Sequence, residues 1–135
     1  MKGKKVLFLL GFAWGAEGFA SGWSSAAETE KGKSLFAVNC ASCHGIHAQG
    51  TKRKEHRSPP ALNGHGHVTH HPPQTLLEHI RNGGKKKGEW MPAFGKRLSD
   101  KEQREVLYYL YTLWPEKVRK RYGKKFAKEL KKEAP

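Results

Sequence analysis

The sequence predicts a helical fold, and three observations support this prediction. Acidic residues at Glu28 and Glu30 suit the first turn of a helix, and the run from Ser99 to Glu102 matches a capping box. Apolar residues follow both signals at the three- and four-residue spacing of a helix. No alternation of strand and helix patterns surrounds the two cysteines, so an α/β redox fold is not indicated.

Three core helices are predicted, from near Glu28 to the first cysteine, from Pro73 to Asn82, and from Ser99 to Leu113. A small polar linker, residues 21–27, precedes the first helix. Gly83-Gly84 ends the second helix, and Pro115 ends the third. Residues 45–58 are polar and basic without a clear period, which predicts a surface loop.

The motif with the most specific chemistry is Cys40-Ala41-Ser42-Cys43-His44. A C-x-x-C-H run is typical of covalent haem attachment. Two thiols add to the two vinyl groups of haem, and the two-residue spacer places both sulfurs on one side of a helical turn. His44 lies four residues after Cys40, so its imidazole shares that face and can reach the iron. The motif therefore predicts one covalently bound haem c with its iron.

Two cysteines at this spacing can also bind zinc, act as a redox pair or form a disulfide. A zinc site needs four ligands, usually from a second cysteine or histidine pair, and the chain has only two cysteines. A thioredoxin-like site and a disulfide with a very short loop remain alternatives. Haem attachment is the interpretation that accounts for the histidine as well.

The charge balance favours anionic partners. The chain of 135 residues carries 26 Lys and Arg against 12 Asp and Glu, a formal charge of +14. Acidic protein patches, membrane surfaces and nucleic acid are the classes that such a charge attracts. Only 36% of residues are hydrophobic, so a haem would provide much of the apolar centre that a small chain needs.

The first twenty residues have the pattern of a secretory signal peptide. Three lysines precede an apolar run, and small residues at Gly18 and Ala20 suit cleavage after Ala20. Cleavage after Ala26 or Ala27 and retention as an uncleaved anchor are the alternatives. Loss of residues 1–20 removes three lysines and one glutamate, which lowers the formal charge from +14 to +12. Export would exclude a nucleic-acid role and place the protein in the periplasm or on the outer face of the cytoplasmic membrane.

The chain resembles the class I cytochromes c over residues 28–114. The motifs that carry the resemblance are Gly32-x-x-x-Phe36, Cys40-x-x-Cys43-His44, Pro59-Pro60-Ala61-Leu62, Met91-Pro92-Ala93-Phe94 and the helix that starts at Ser99. The resemblance implies an all-α fold with several helices wrapped around one haem, and it implies electron transfer. Residues 28–114 are then the cytochrome c domain, in which the first and last core helices cross.

The resemblance also implies roles for individual residues. The carbonyl of Pro60 would accept a hydrogen bond from His44, and Leu62 would pack on the haem. Met91 is the only methionine after residue 1, and M-P-x-F downstream of C-x-x-C-H indicates that it is the second axial ligand. A buried packing methionine is the alternative for Met91, and His79 is the alternative ligand.

A histidine-rich segment lies between the Pro59–Leu62 motif and the second helix. Residues 64–71 carry four histidines. We interpret this segment as a flexible, partly protonated surface loop, and metal affinity or an alternate haem ligand is the alternative.

Residues 115–135 form a basic C-terminal extension, with nine Lys and Arg against three Glu in residues 116–135. Val118, Tyr122, Phe126 and Leu130 recur every four residues there and predict one amphipathic helix, weakened by Gly123.

These observations predict a monomeric electron carrier with His/Met-ligated haem, which is not an enzyme because no iron position remains open. Its expected partners are acidic redox proteins, such as an oxidase or a reductase, and an anionic membrane surface is a second candidate. A subunit of a larger oxidoreductase is the main alternative, and a peroxidase-like haem enzyme is the weaker one.

Overall fold

The computed structural model describes residues 25–52, 54, 58–86 and 89–133. The predicted signal peptide lies outside these residues. The described part of the chain contains α-helices and one 3₁₀ turn, and no strand. The elements are α1 (Ala26–Asn39), α2 (Ala41–His44), the 3₁₀ turn (His67–His70), α3 (Pro73–Asn82), α4 (Asp100–Thr112), α5 (Glu116–Lys125) and α6 (Ala127–Glu133). None of these helices has the length and the apolar character needed to span a membrane.

Capping boxes start α1 and α4. The Ser25 hydroxyl accepts a hydrogen bond from the Glu28 backbone N–H, and the Glu28 carboxylate accepts one from the Ser25 N–H. Ser99 and Glu102 make the same reciprocal pair at α4, as predicted. The prediction for α1 was slightly wrong, because its helix begins at Ala26 and takes up the last two residues of the predicted linker. A capping box satisfies two N-terminal donors at once, which fixes the start at Ser25.

The first and last core helices cross at Gly32, as predicted. A side chain at this position would overlap the carbonyl oxygen of Glu105, so only glycine permits so close an approach. One turn further on, the rings of Phe36 and Tyr109 lie 5.6 Å apart, and Phe36 and Val106 are each 1% exposed. The crossing therefore fixes the C-terminal end of α1, where the haem motif begins, against α4.

The basic tail is part of the core. Tyr122, Phe126 and Leu130 are all less than 9% exposed and join one apolar cluster with Trp114 and Leu77. Three aromatic rings pack closely there, with 4.9 Å between the Trp114 and Tyr122 centroids and 4.6 Å between those of Tyr122 and Phe126. Residues 116–133 are thus docked on the helices before them.

The prediction of a single tail helix was wrong. The helix breaks at Phe126, which has φ −114° and ψ 30°, while Gly123 stays helical within α5. Residues four apart drift by about 40° around a straight helix, so an unbroken tail would carry its last apolar residue away from the core. The break lets the short helix α6 turn Leu130 back onto the domain, where it is 7% exposed.

Candidate functional site: a cavity at the C-x-x-C-H motif

The motif occupies the junction of two helices. Cys40 ends α1 and precedes α2, and its carbonyl accepts hydrogen bonds from the N–H groups of Cys43 and His44. Gly45, with φ 82°, then ends α2 in a conformation that suits glycine. The four-residue helix brings both sulfurs and the imidazole to one cavity.

A backbone pairing holds the His44 ring. The Gly50 N–H donates to the His44 carbonyl, and the Leu62 N–H donates to the Ala48 carbonyl at 2.7 Å. These bonds bring the segment around Pro60 beside α2, with His44 Nδ1 2.9 Å from the Pro60 carbonyl oxygen. Because a carbonyl can only accept, Nδ1 carries the proton in this contact, and the tautomer with Nε2 as the acceptor is favoured.

Ala48 was missed by the sequence interpretation. It lies in the predicted surface loop, yet it is fully buried and adopts φ 52°, an uncommon conformation for alanine. Its burial packs the start of the loop against Phe36, Val106 and Leu110. Polar composition gave no sign of this position, because one small apolar residue among polar neighbours has no period.

The cavity has a volume of about 590 Å³, within the range of about 300–1,000 Å³ that is usual for ligand sites. The sequence-predicted residues Cys40, Cys43, His44, Pro60, Leu62 and Met91 all line it. Apolar side chains form much of the remaining wall, among them Val68, Leu76, Ile80, Phe94, Leu107 and Leu110. A large apolar cavity with two thiols and an imidazole on one wall fits a covalently attached haem.

The loop that carries Met91 is fixed to the end of α3. Gly83, with φ 72°, ends that helix, and a side chain there would approach the Met91 carbonyl oxygen to 2.5 Å. The Gly84 N–H donates to the same oxygen at 2.9 Å, and the Phe94 N–H donates to Ile80 at 3.0 Å. The Met91 carbonyl is therefore bound to the turn that ends α3, and the segment after it is bound to α3 itself, which limits how far the loop can move.

Cys40 and Cys43 are half-buried and are not joined to each other in a disulfide. Burial, and then the neighbouring Cys43, raises the pKa of the Cys40 thiol to about 11. A thiol with this pKa stays neutral near pH 7 and is a poor nucleophile and metal ligand. Among the described residues, no group of three or more His, Cys, Asp or Glu side chains is arranged to hold a metal ion.

Three histidines also line the cavity: His67, His71 and His79. Our interpretation of residues 64–71 as a flexible loop needs correction, since residues 67–70 form a 3₁₀ turn and Val68 is 6% exposed within the main apolar cluster. The single apolar residue at Val68 was the available signal, because it anchors the turn and thereby points neighbouring histidines to the cavity edge.

A comparison with known protein families matches residues 27–110 to the family described as cytochrome C oxidase, cbb3-type, subunit III. The chain belongs to this family. It is accordingly a c-type cytochrome, with covalently bound haem c and its iron as cofactor and electron transfer as its chemistry. The single C-x-x-C-H motif provides for one haem.

Individual relatives support the same family. The cytochrome is 36% identical over 92 residues to the cbb3-type cytochrome c oxidase subunit CcoP of Azospirillum brasilense, a match that covers 67% of this chain and 30% of CcoP. It is 33% identical over 96 residues to subunit FixP of Azorhizobium caulinodans, covering 71% of this chain and 30% of FixP. The chain thus corresponds to less than a third of these relatives' length.

Two smaller proteins are also similar. Cytochrome c6 of Bumilleriopsis filiformis is 30% identical over 89 residues, which cover 62% of this chain and 90% of that protein. The fold matches cytochrome CL of the marine methylotrophic bacterium Methylophaga aminisulfidivorans with a TM-score of 0.55 and 22% identity, over 67% of this chain and 56% of that one. The predicted all-α, class I cytochrome c fold is therefore confirmed.

Proposed function

We propose that this cytochrome is a one-electron carrier in which Cys40 and Cys43 form the thioethers and His44 and Met91 bind the iron. The observation that carries the proposal is that all four side chains line the same cavity. Haem c, when bound, supplies an iron that alternates between Fe(III) and Fe(II). If His44 and Met91 both hold the iron, no position is left for substrate or oxygen, which argues against the peroxidase-like alternative.

The residues of the chain prepare the site for fast electron exchange. The bond from His44 Nδ1 to the Pro60 carbonyl would orient the ring and make Nε2 a stronger ligand. The apolar wall, including Leu62 and Leu107, would exclude water from the centre. Because hydrogen bonds hold the Met91 backbone on α3, the ligand geometry should change little between oxidation states.

Met91→His is the direct test of the axial ligand. We expect the midpoint potential to fall and the Met–iron charge-transfer band of the ferric protein to disappear, because imidazole favours the ferric state more than a thioether does. His79→Asn is the matched variant, since His79 also lines the cavity and its Nδ1 lies 3.1 Å from the Thr75 carbonyl oxygen. If His79→Asn removes the native spectrum and Met91→His leaves it intact, His79 is the ligand.

The relatives indicate a setting for this carrier. Because CcoP and FixP are described as cbb3-type oxidase subunits, we propose that this cytochrome passes electrons to, or within, an oxidase of the cell envelope. Export by the N-terminal segment would place it in the periplasm or on the outer face of the cytoplasmic membrane. Cleavage after Ala20 would keep the Ser25 cap of α1, whereas cleavage after Ala26 would remove it.

The tail would supply a docking surface for an acidic partner. Its apolar residues Tyr122, Phe126 and Leu130 are buried against the protein, so they are not free to enter a lipid bilayer. The outer face of α5 and α6 is covered by exposed charged side chains, with nine Lys and Arg against two Glu over residues 116–132. Charge without exposed apolar area favours an acidic protein surface over insertion into a membrane.

Neutralising part of this face should slow docking. A variant with Lys124, Lys128 and Lys131 changed to Gln should react several-fold more slowly with an acidic redox protein at low salt, with a weaker salt dependence, since steering raises association rates by about 10–10³. Stopped-flow electron-transfer rates across a range of ionic strength measure this effect. The matched control changes Lys31, Lys33 and Lys96 to Gln, for the same loss of net charge. Equal slowing in both variants would contradict a specific role for the tail.

A further inference from the structure

The cavity has a histidine rim, formed by His67, His71 and His79. His67 is the first residue of the 3₁₀ turn, His71 follows the turn, and His79 lies on α3, so two elements bring them to one edge. The rings of His71 and His79 lie 6.5 Å apart. All three side chains are exposed on one side while lining the cavity on the other. Water can therefore exchange protons with imidazoles that border the cofactor site.

The charges around this rim are positive. Partial burial, followed by the charges of His79, His70, Lys86 and His67, lowers the pKa of His71. No carboxylate of the described part of the chain is among these neighbours. The backbone of the rim is held in place from the tail, because the Tyr122 hydroxyl donates to the His71 carbonyl at 2.8 Å.

Two carboxylates on neighbouring segments form hydrogen bonds of their own. Glu89 lines the cavity, but its carboxylate accepts hydrogen bonds from the backbone N–H groups of Lys85 and Lys86 at 3.0 Å. Glu78, on α3, accepts a hydrogen bond from Gln74. A cluster of imidazoles with an ammonium group among its neighbours is a favourable place for a bound anion.

We propose that the histidine rim receives the carboxylates of the bound haem and takes up a proton when the cytochrome is reduced. The inference rests on the proposed electron-carrier function. Haem joined through its two vinyl groups keeps two propionate carboxylates, which need cationic or hydrogen-bonding partners at the edge of a largely apolar cavity. Because His79 Nδ1 bonds the Thr75 carbonyl, its Nε2 is the nitrogen left to meet a carboxylate.

The proton balance follows from Coulomb's law. With haem bound, a redox donor would supply one electron and the site would become more negative by one charge, so an imidazole of the rim would bind its proton more tightly. A proton then moves from water to an imidazole nitrogen, and it returns to water on oxidation; no other bond changes. For charges about 10 Å apart at an effective dielectric of about 20, the change in proton affinity is about tenfold.

The test is the midpoint potential of the intact holoprotein between pH 5 and pH 8. We expect the potential to fall with rising pH by about 59 mV in total, the equivalent of a tenfold change for one electron. In the variant with His67, His71 and His79 all changed to Asn, the midpoint potential should not change with pH. Its value should be close to that of the wild type at high pH. The control variant changes His47 and His65 to Asn, since neither lines the cavity, and it should keep the wild-type profile.

A second measurement guards against a triple variant that does not fold. NMR titration of the wild-type histidines in both oxidation states should show at least one rim imidazole with a higher pKa in the reduced protein. A flat wild-type profile, or rim pKa values that are equal in both states, would overturn the inference. A reversible couple without pH dependence leaves electron transfer intact, whereas absence of a reversible one-electron couple would refute the proposed function itself.

Discussion

A protein in which Cys40 and Cys43 are both replaced by alanine is expected to lose all covalently bound haem. Each sulfur would form one of the two thioethers, so no bond survives denaturation once both are gone. Haem staining of a denaturing gel, with a pyridine haemochrome spectrum, measures this loss. Single variants should keep at most one thioether and show a shifted haemochrome band.

Ser42→Ala is the control within the same motif. Ser42 lies between the two cysteines, and its hydroxyl is 4.0 Å from the Cys43 sulfur, but it has no part in attachment. Its haem content should equal that of the wild type. We expect the variants that lose haem also to lose stability, because an empty cavity of about 590 Å³ leaves Leu107 and Leu110 without packing partners on the cavity side. Haem retained on the denatured double variant would disprove the attachment site.

The second large effect is expected from Tyr122→Ala in the tail. Tyr122 is 2% exposed and contacts the rings of Tyr111, Trp114 and Phe126. Losing a buried aromatic ring should lower the free energy of unfolding by about 3–5 kcal/mol. Urea unfolding of the holoprotein, followed by far-UV circular dichroism, measures the change.

Two variants separate the contributions of this residue. Tyr122→Phe keeps the ring and removes the hydroxyl, which donates to the His71 carbonyl and accepts from the Tyr111 hydroxyl; each lost hydrogen bond should cost about 0.5–1.5 kcal/mol. Lys124→Ala, on the exposed side of α5, should be near neutral. If Tyr122→Ala unfolds at the same urea concentration as Lys124→Ala, the tail is not part of the cooperative core. Removing the whole tail would take buried residues out of the core as well as remove its positive charge. Point changes of the exposed lysines are therefore the better test of docking.

Local signals in the sequence were sufficient to predict much of the architecture. The bounds of α3 and the start of α4 follow from Pro73, Gly83 and the Ser99 capping box, since these devices act within one helical turn. The crossing at Gly32 could be predicted from the resemblance, because close helix approach there requires glycine. The site residues named from motifs all line the cavity, and their roles in holding haem stay a prediction.

The remainder depends on contacts between distant segments. Nothing near Phe126 in the sequence marks a break, which arises because Leu130 has to reach the cluster around Leu77 and Trp114. The burial of Ala48 likewise depends on α4, far along the chain. The histidine rim joins residues of the 3₁₀ turn and of α3. The apolar pattern of these two elements reflects their buried residues and does not show that the histidines meet. Tertiary packing, rather than local preference, decides each of these features.

The crossing of α1 and α4 has a consequence for the order of assembly. Gly32 and Glu105 are far apart in the chain, so this native contact cannot form until the C-terminal half has emerged. A chain that leaves the ribosome N-terminus first therefore presents Cys40 unshielded for a time. Closure of the fold then buries that thiol and raises its pKa to about 11. The open chain is thus the more reactive species toward haem, and a chain that folds before it meets haem is a poorer substrate for attachment.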